Sequence, residues 1–352
     1  MFKSSVKIAD RRIASDQPVF IIAEAGVNHN GDLGLAKKLV DAAKKAGADA
    51  VKFQTFKAEN LNTRKAPKST YHVETTGKAG SWFDLLKSQE LDRTQHEAII
   101  RHCRKAGILF LSTPYDEESA DLLDDLDVPA FKVASTDANN IPFLKYLASK
   151  KRPVLLSTAM CTMEEVGASV RAVAKAGCRE LVLFHCTANY PTAPENVNLR
   201  AMKDLEKFGV PVGYSDHTMA TVTAAVAVAL GARAYEKHLT LDKNLPGPDH
   251  RASATPEEFG EIVRTIRGAE KVLGDGRKRP LACESENRKK LRKSVVALSD
   301  LPAGSFLTRA TIGVKRPGTG LEPKHFEALL GKKIKKPLKQ DDLITWQNLS
   351  SK

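Results

Sequence analysis

The sequence predicts a (β/α)8 barrel followed by a small C-terminal domain, and three observations predict it. Eight short runs rich in apolar and β-branched residues recur along the first 276 residues. Amphipathic stretches of helical period separate them. The charge balance then changes abruptly: residues 277–352 hold 18 Lys and Arg against 7 Asp and Glu, whereas the residues before them hold 37 against 35. Almost all of the formal net charge of +13 therefore belongs to the last quarter. These observations place a barrel at 1–276, a charged linker at 277–292 and a small basic domain at 293–352.

In chain order the predicted strands are "VFIIA" (19–23), "AVKF" (50–53), "ILFLS" (108–112), "AFKV" (130–133), "VLLS" (154–157), "LVLFH" (181–185), "VGY" (212–214) and "AYEKH" (234–238). After the first, Asp32 is placed to cap "LGLAKKLVDAAKKAG", in which Leu35, Leu39, Ala42 and Ala43 share a face and Gly47 supplies the stop. After the fifth, Thr162 and Glu165 have capping-box spacing before "VGASVRAVAKAG". "MATVTAAVAVALGA" and "TPEEFGEIVRTIRGAEKVLG" follow the seventh and eighth. Strands alternating with helices pair in parallel through right-handed crossovers. A doubly wound open sheet is the second reading, but no G-x-G-x-x-G follows the first strand.

Composition narrows the function classes. With 42% hydrophobic and 28% charged residues, the chain has the balance of a soluble globular protein. No apolar stretch approaches the roughly 18 residues of a membrane span, and "MFKSSVKIADRR" lacks the apolar centre of a signal peptide, so a cytoplasmic protein is expected. The five cysteines are odd in number and lack C-x-x-C spacing, which argues against a disulfide framework or a zinc site. No aromatic-interleaved basic stripe accompanies the positive charge, so neither nucleic acid nor membrane is expected as a partner.

Barrel active sites sit at the C-terminal ends of the strands. Here those ends read Glu24 with Asn28, Lys52 with Gln54, Ser112 with Thr113, Lys132 with Ser135, Ser157 with Thr158, His185, Ser215 with Asp216 and His217, and Glu236 with His238. One polar strand end can be an ordinary helix cap; several charged ones in register are harder to explain that way. Lys52 and Lys132 lie inside apolar strands, where a lysine is costly without an anion. Together with the hydroxyls of Thr113, Ser135, Ser157, Thr158 and Ser215 they suit a multiply charged anion such as a phosphorylated carboxylate. His217 and His238 end neighbouring strands, so both imidazoles are candidates for one divalent ion, with Glu24 on the far side of strand eight. His185 is as well read as a hydrogen-bonded core histidine as a ligand.

In this order "IIAEAGVNHNGD", "KFQTF", "STP", "FKVAS", "LSTAM", "HCTANYPT", "GYSDHT", "EKHLTLD" and "GPDH" closely resemble the sialic acid synthase family. The C-terminal "SVVALSDLPAGSFLTRATIGVKRPGTGLEPKHFEALLGKKIKKPLKQDDLI" resembles that family's antifreeze-like (SAF) domain. The resemblance covers nearly the whole chain. It implies condensation of phosphoenolpyruvate with an N-acetylated hexosamine such as N-acetylmannosamine, with release of phosphate. It implies His217 and His238 as ligands of a divalent metal, most often Mn²⁺. It gives Lys52, Thr113, Lys132, Ser135, Ser157 and Ser215 to phosphoenolpyruvate, and Glu24, Tyr190 and Asp249 to the acceptor sugar. Glu236 is implied beside the reacting carbons, and Glu24 or Glu236 as proton handler. Arg316 is implied to reach the sugar's N-acyl group from the SAF domain of the other subunit of a domain-swapped homodimer; the charged linker before it, if largely extended, is long enough to span a barrel. Ala188 departs from the pattern, standing where some relatives carry a polar residue, and the asparagine that some members carry in the loop after strand two falls somewhere in "TTGKAGS".

Two alternatives stand beside N-acetylneuraminate synthesis. An N,N'-diacetyllegionaminate synthase would share every phosphoenolpyruvate and metal contact and differ in taking a 2,4-diacetamido-trideoxyhexose. A pseudaminic acid synthase fits "KFQTFKAENL" and "APKSTY" less well. From another class, a catalytically inactive carbohydrate-binding barrel would have no need of His217, His238 and Glu236 together.

Overall fold

The computed structural model describes residues 2–350. It divides into two compact units, Met1–Gly274 and Asp275–Lys352. Each of the eight predicted runs is a strand, and together they form one closed barrel, parallel throughout. Strand eight, Ala234–His238, closes on strand one, Phe20–Gly26, with Ala234 opposite Phe20 and His238 opposite Glu24. Strands two, three, six and seven run past the apolar runs, to Thr55, Pro114, Cys186 and Asp216. These extensions carry polar side chains to one end of the barrel.

Alternation along each strand divides the barrel residues between two cores. Outward residues such as Ile21, Val51, Phe53, Phe131, Leu156 and Leu183 pack with the surrounding helices. Inward residues Phe20, Ile22, Leu111, Leu155, Val182 and Phe184 form a separate inner core. That inner core is completed by an antiparallel hairpin that the sequence reading missed, Val6–Ile8 with Arg11–Ile13. Val6, Ile8 and Ile13 are fully buried in it. Gly213 lies at the same depth for a steric reason: a Cβ there would fall 2.7 Å from the Phe184 ring and 2.9 Å from the Ala234 carbonyl oxygen.

The expected caps are present. Asp32 accepts from the Leu35 N–H at 2.6 Å to start helix Leu33–Ala46, and Gly47 ends it at φ 93°. Thr162 and Glu165 form a capping box ahead of Met163–Lys175, and Thr255 and Glu258 another ahead of Pro256–Leu273. The connection after strand two is longer than a simple crossover. It contains three short helices, Ala58–Leu61, Thr70–Thr76 and Trp82–Ser88, before the barrel helix Arg93–Ala106. Among the described residues no helix is long and apolar enough to cross a membrane, and all five cysteines are free.

The second unit has its own core of Val295, Leu301, Leu307, Ile312, Leu329, Ile334 and Ile344 around an antiparallel pair, Ser294–Ala297 with Ile312–Lys315. The expectation of a largely extended linker at 277–292 is corrected. A turn at Ala282–Glu284 leads into helix Ser285–Leu291, stabilised by a Glu286–Lys290 ion pair one helical turn apart. This helix is tied to the segment beside Arg316, because the Gly318 N–H donates to the Lys289 carbonyl at 2.7 Å.

Candidate active site

Because every barrel strand runs the same way, the polar ends converge on one cavity of about 500 Å³. Glu24, Lys52, Thr113, Lys132, Ser135, Ser157, Tyr190, Ser215, His217, Glu236 and His238 all line it. Asp249 is placed behind His238, its Oδ2 4.0 Å from the imidazole Nδ1. Arg316 belongs to the second unit, where it is exposed.

Two lysines and two glutamates make up the charged part of the cavity wall. Lys52 Nζ lies 2.9 Å from Glu24 Oε2 and 3.7 Å from Glu236 Oε2, and donates to Thr113 Oγ1 at 3.1 Å. Lys132 Nζ donates to Ser157 Oγ at 2.6 Å and lies 3.5 Å from Glu236 Oε1. Ser215 donates to that same oxygen at 2.9 Å, and Gln54 donates to Glu24 Oε1 at 3.0 Å. The reading of interior lysines that await an outside anion is therefore corrected: the protein supplies carboxylates of its own. Glu24 Oε2 and Glu236 Oε2 nevertheless lack an aligned hydrogen bond despite their nearness to Lys52, so each retains capacity for another donor.

The two glutamates differ electrostatically. Burial pushes the Glu24 carboxyl up, Lys52 pulls it back only in part, and Glu236 adds to the rise. Burial acts on Glu236 too, but Lys132 and Lys52, helped by Ser215, bring it down to about 2. Of the lysines, Lys52 is raised because Glu236 and Glu24 together outweigh its burial. Lys132 is lowered, since burial and repulsion by Lys52 outweigh its attraction to Glu236. Glu236 is ionised, because both lysines act on its carboxylate.

His217 and His238 face each other with ring centroids 5.8 Å apart. His217 Nδ1 lies 2.6 Å from the Thr187 carbonyl, which can only accept, so the ring proton is on Nδ1 and Nε2 keeps its lone pair. That Nε2 is 3.2 Å from the Tyr190 hydroxyl. His238 Nδ1 is buried with no hydrogen-bond partner. Burial lowers both imidazoles, His217 to about 4 and His238 further, His217 itself adding to the second shift. Both are neutral near pH 7, the form that binds metal. Among the described residues no group of three or more His, Cys, Asp or Glu is arranged to hold a metal ion. Burial, with Glu24 nearby, raises Asp249 to about 7.

His185 is a packed histidine whose Nε2 lies 2.8 Å from the Val197 carbonyl, and it does not line the cavity. The carbonyl can only accept, so Nε2 is the donor. Thr158 likewise bonds the Phe184 carbonyl, at 2.8 Å, and Asp216 faces away from the cavity. The cavity also has walls that the sequence reading missed. Tyr115 directly follows "STP", so the strand-end rule alone would have found it. Tyr71 and His72 come from the polar connection after strand two, which has no periodicity to mark it. Ser69 to His72, rather than "TTGKAGS", is the part of that connection that reaches the cavity. His72 is held there by stacking on Trp82, with ring centroids 4.1 Å apart.

A parallel barrel that gathers paired lysines and glutamates, hydroxyls and two neutral histidines in one cavity has the form of an enzyme for an anionic substrate. Residues 39–278 match the NeuB family and residues 292–350 match the SAF domain. The chain is 42% identical over 342 residues to the N,N'-diacetyllegionaminic acid synthase of Legionella pneumophila, covering 96% of each chain. It is 38% identical over 339 residues to the human N-acetylneuraminate-9-phosphate synthase, covering 95% of this chain and 93% of that one. The crystal structure of an N-acetylneuraminic acid synthetase from Leptospira borgpetersenii superposes with a TM-score of 0.73 at 33% identity, over 80% of this chain and 94% of that one. The protein belongs to the NeuB family of phosphoenolpyruvate-dependent nonulosonic acid synthases, with a C-terminal SAF domain.

Proposed function

We propose that this chain condenses phosphoenolpyruvate with an N-acetylated amino sugar in the Glu24–His238 cavity, releasing phosphate and forming a nonulosonic acid. The observation that carries the reading is the convergence of Lys52 and Lys132 with Thr113, Ser157 and Ser215 in the cavity that also holds His217 and His238. The lysines and hydroxyls hold the phosphate and carboxylate of phosphoenolpyruvate. Tyr190 and Asp249 orient the acceptor so that its aldehyde carbon meets C3 of the enol. A carbon–carbon bond forms there, the aldehyde oxygen takes up a proton, water adds at C2, and phosphate departs to leave the 2-keto acid. Glu24 handles the proton, because its carboxyl is raised whereas Lys132 and Lys52 keep Glu236 ionised beside the reacting carbons.

His217 and His238 fit a divalent metal: one imidazole offers Nε2 while Thr187 holds its Nδ1 proton, and the other has an unpartnered buried nitrogen. When bound, Mn²⁺ would supply a Lewis acid for the acceptor's aldehyde. We further propose that Arg316 serves the acceptor from the partner subunit of a domain-swapped dimer.

The sequence reading put N-acetylmannosamine first as acceptor. Identity of 42% to a legionaminic acid synthase against 38% to a human sialic acid phosphate synthase supports the 2,4-diacetamido-trideoxyhexose instead. The cavity wall at Ala188 and Met160 agrees, since the trideoxy sugar presents a C6 methyl and a C4 acetamido group where N-acetylmannosamine presents hydroxyls. Chelation tests the metal part: EDTA should abolish phosphate release and Mn²⁺ should restore it. Undiminished turnover in a sample shown to be metal-free would refute the two-histidine site.

A further inference from the structure

We propose that the buried ion pair between Asp216 and Lys237 is a positioning device that holds His217 and His238 at the spacing the metal requires; this rests on the metal reading above. Strands seven and eight, Val212–Asp216 and Ala234–His238, pair with Ser215 opposite Glu236 and Asp216 opposite Lys237. Side chains alternate along a strand. Ser215 and Glu236 face the cavity and bond each other at 2.9 Å. The next pair, Asp216 and Lys237, faces the other way and is its outer counterpart. The positions after that are His217 and His238, back in the cavity. Asp216–Lys237 is thus the last cross-strand link before the two histidines.

Its contacts are directed at the backbone that carries His217. Lys237 Nζ donates to the Asp216 carbonyl at 3.4 Å and also to the Thr218 carbonyl, so a side chain from His238's strand grips the residues on either side of His217. The same ammonium lies 3.4 Å from Asp216 Oδ2, with side-chain exposures of 4% for Lys237 and 0% for Asp216. The Asp216 carboxylate accepts from the Thr218 N–H at 2.8 Å, Tyr214 Oη at 3.2 Å and Thr223 Oγ1 at 2.9 Å, and also from the Tyr235 hydroxyl. Its donors come from strands seven and eight, from the turn that follows His217, and from the first turn of helix Val222–Ala229. A buried ion pair is a weak device for stability alone, because apolar residues of similar volume often serve as well. Here it fixes geometry: the carbonyls that flank one imidazole are held by the neighbour of the other.

The experiment compares Mn²⁺ titrations of the full chain, followed by electron paramagnetic resonance, with calorimetric binding of phosphoenolpyruvate to the metal-free protein. Lys237→Met should weaken Mn²⁺ binding by about 10- to 100-fold. Phosphoenolpyruvate affinity without metal should change far less, because Lys52, Thr113, Lys132 and Ser157 lie on strands two to five and Ser215, on strand seven, faces the opposite side from the ion pair. Asp216→Asn combined with Lys237→Met leaves no unpaired buried charge, so it should fold even where the single variant does not, and should show the same loss. Leu144→Ala, a fully buried residue of the outer core, controls for destabilisation and should leave Mn²⁺ affinity intact. Unaltered Mn²⁺ affinity in the double variant, or an equal loss in Leu144→Ala, would overturn the positioning role. If the unsubstituted protein takes up no Mn²⁺, the metal reading fails and this inference fails with it; if it binds and the double variant binds equally, only this inference fails.

Discussion

Glu24 and Glu236 show what single residues contribute. Both are fully enclosed carboxylates beside Lys52, yet one is raised and the other held at about 2, because Lys132 forms its close ion pair with Glu236. This difference supports the proposal that Glu24 handles the proton. Glu24→Gln keeps the size and hydrogen-bonding reach of the side chain and removes its proton chemistry, so steady-state kinetics should show kcat lower by about 10² to 10⁴. The KM for phosphoenolpyruvate should not rise, since a negative charge beside Lys52 has been removed. A rise in KM at constant kcat would reassign Glu24 to substrate binding. Most site residues were legible because a polar residue at the end of an apolar strand run is conspicuous. The ion pairs among them were not: strand order places Lys52 beside Glu24, but only the closed barrel brings Glu236 from strand eight to both lysines.

At the level of elements, the eight strands and their capped helices were readable because each combines an apolar run with a stop or a cap. The N-terminal hairpin was not, since "VKI" and "RRI" are too short to show a period and owe their structure to the barrel interior they fill. That origin makes a prediction. Ile8→Ala removes a fully buried side chain from the inner core and should lower the unfolding free energy by about 2 to 5 kcal/mol in a denaturant titration. A change within about 0.5 kcal/mol, as at an ordinary surface position, would show that the hairpin does not help hold the barrel together. The charged segment after residue 276 is exposed throughout, as its composition suggests, but Glu286 and Lys290 at helical spacing, and the Gly318 bond to Lys289, make part of it helical rather than extended.

For the whole molecule, the proposal brings Arg316, in the basic second unit, to a reaction whose other proposed groups all lie in the barrel. The proposed exchange of SAF domains is tested by mixing two inactive variants, Arg316→Ala and His238→Ala, under conditions that allow subunit exchange. If Arg316 acts on the partner's cavity, each mixed dimer has one site with both lesions and one with neither, so activity should return to about a quarter of sites in an equal mixture. No recovery, with exchange demonstrated, would return Arg316 to its own chain. The most direct test of the central claim is the stoichiometry of one reaction mixture: phosphoenolpyruvate, Mn²⁺ and either 2,4-diacetamido-trideoxymannose or N-acetylmannosamine, with phosphate and product mass measured together. The account predicts one phosphate per nonulosonic acid, faster with the diacetamido sugar, and none without acceptor. Intact phosphoenolpyruvate in the presence of every amino sugar offered, from a folded and metal-loaded protein, would contradict it.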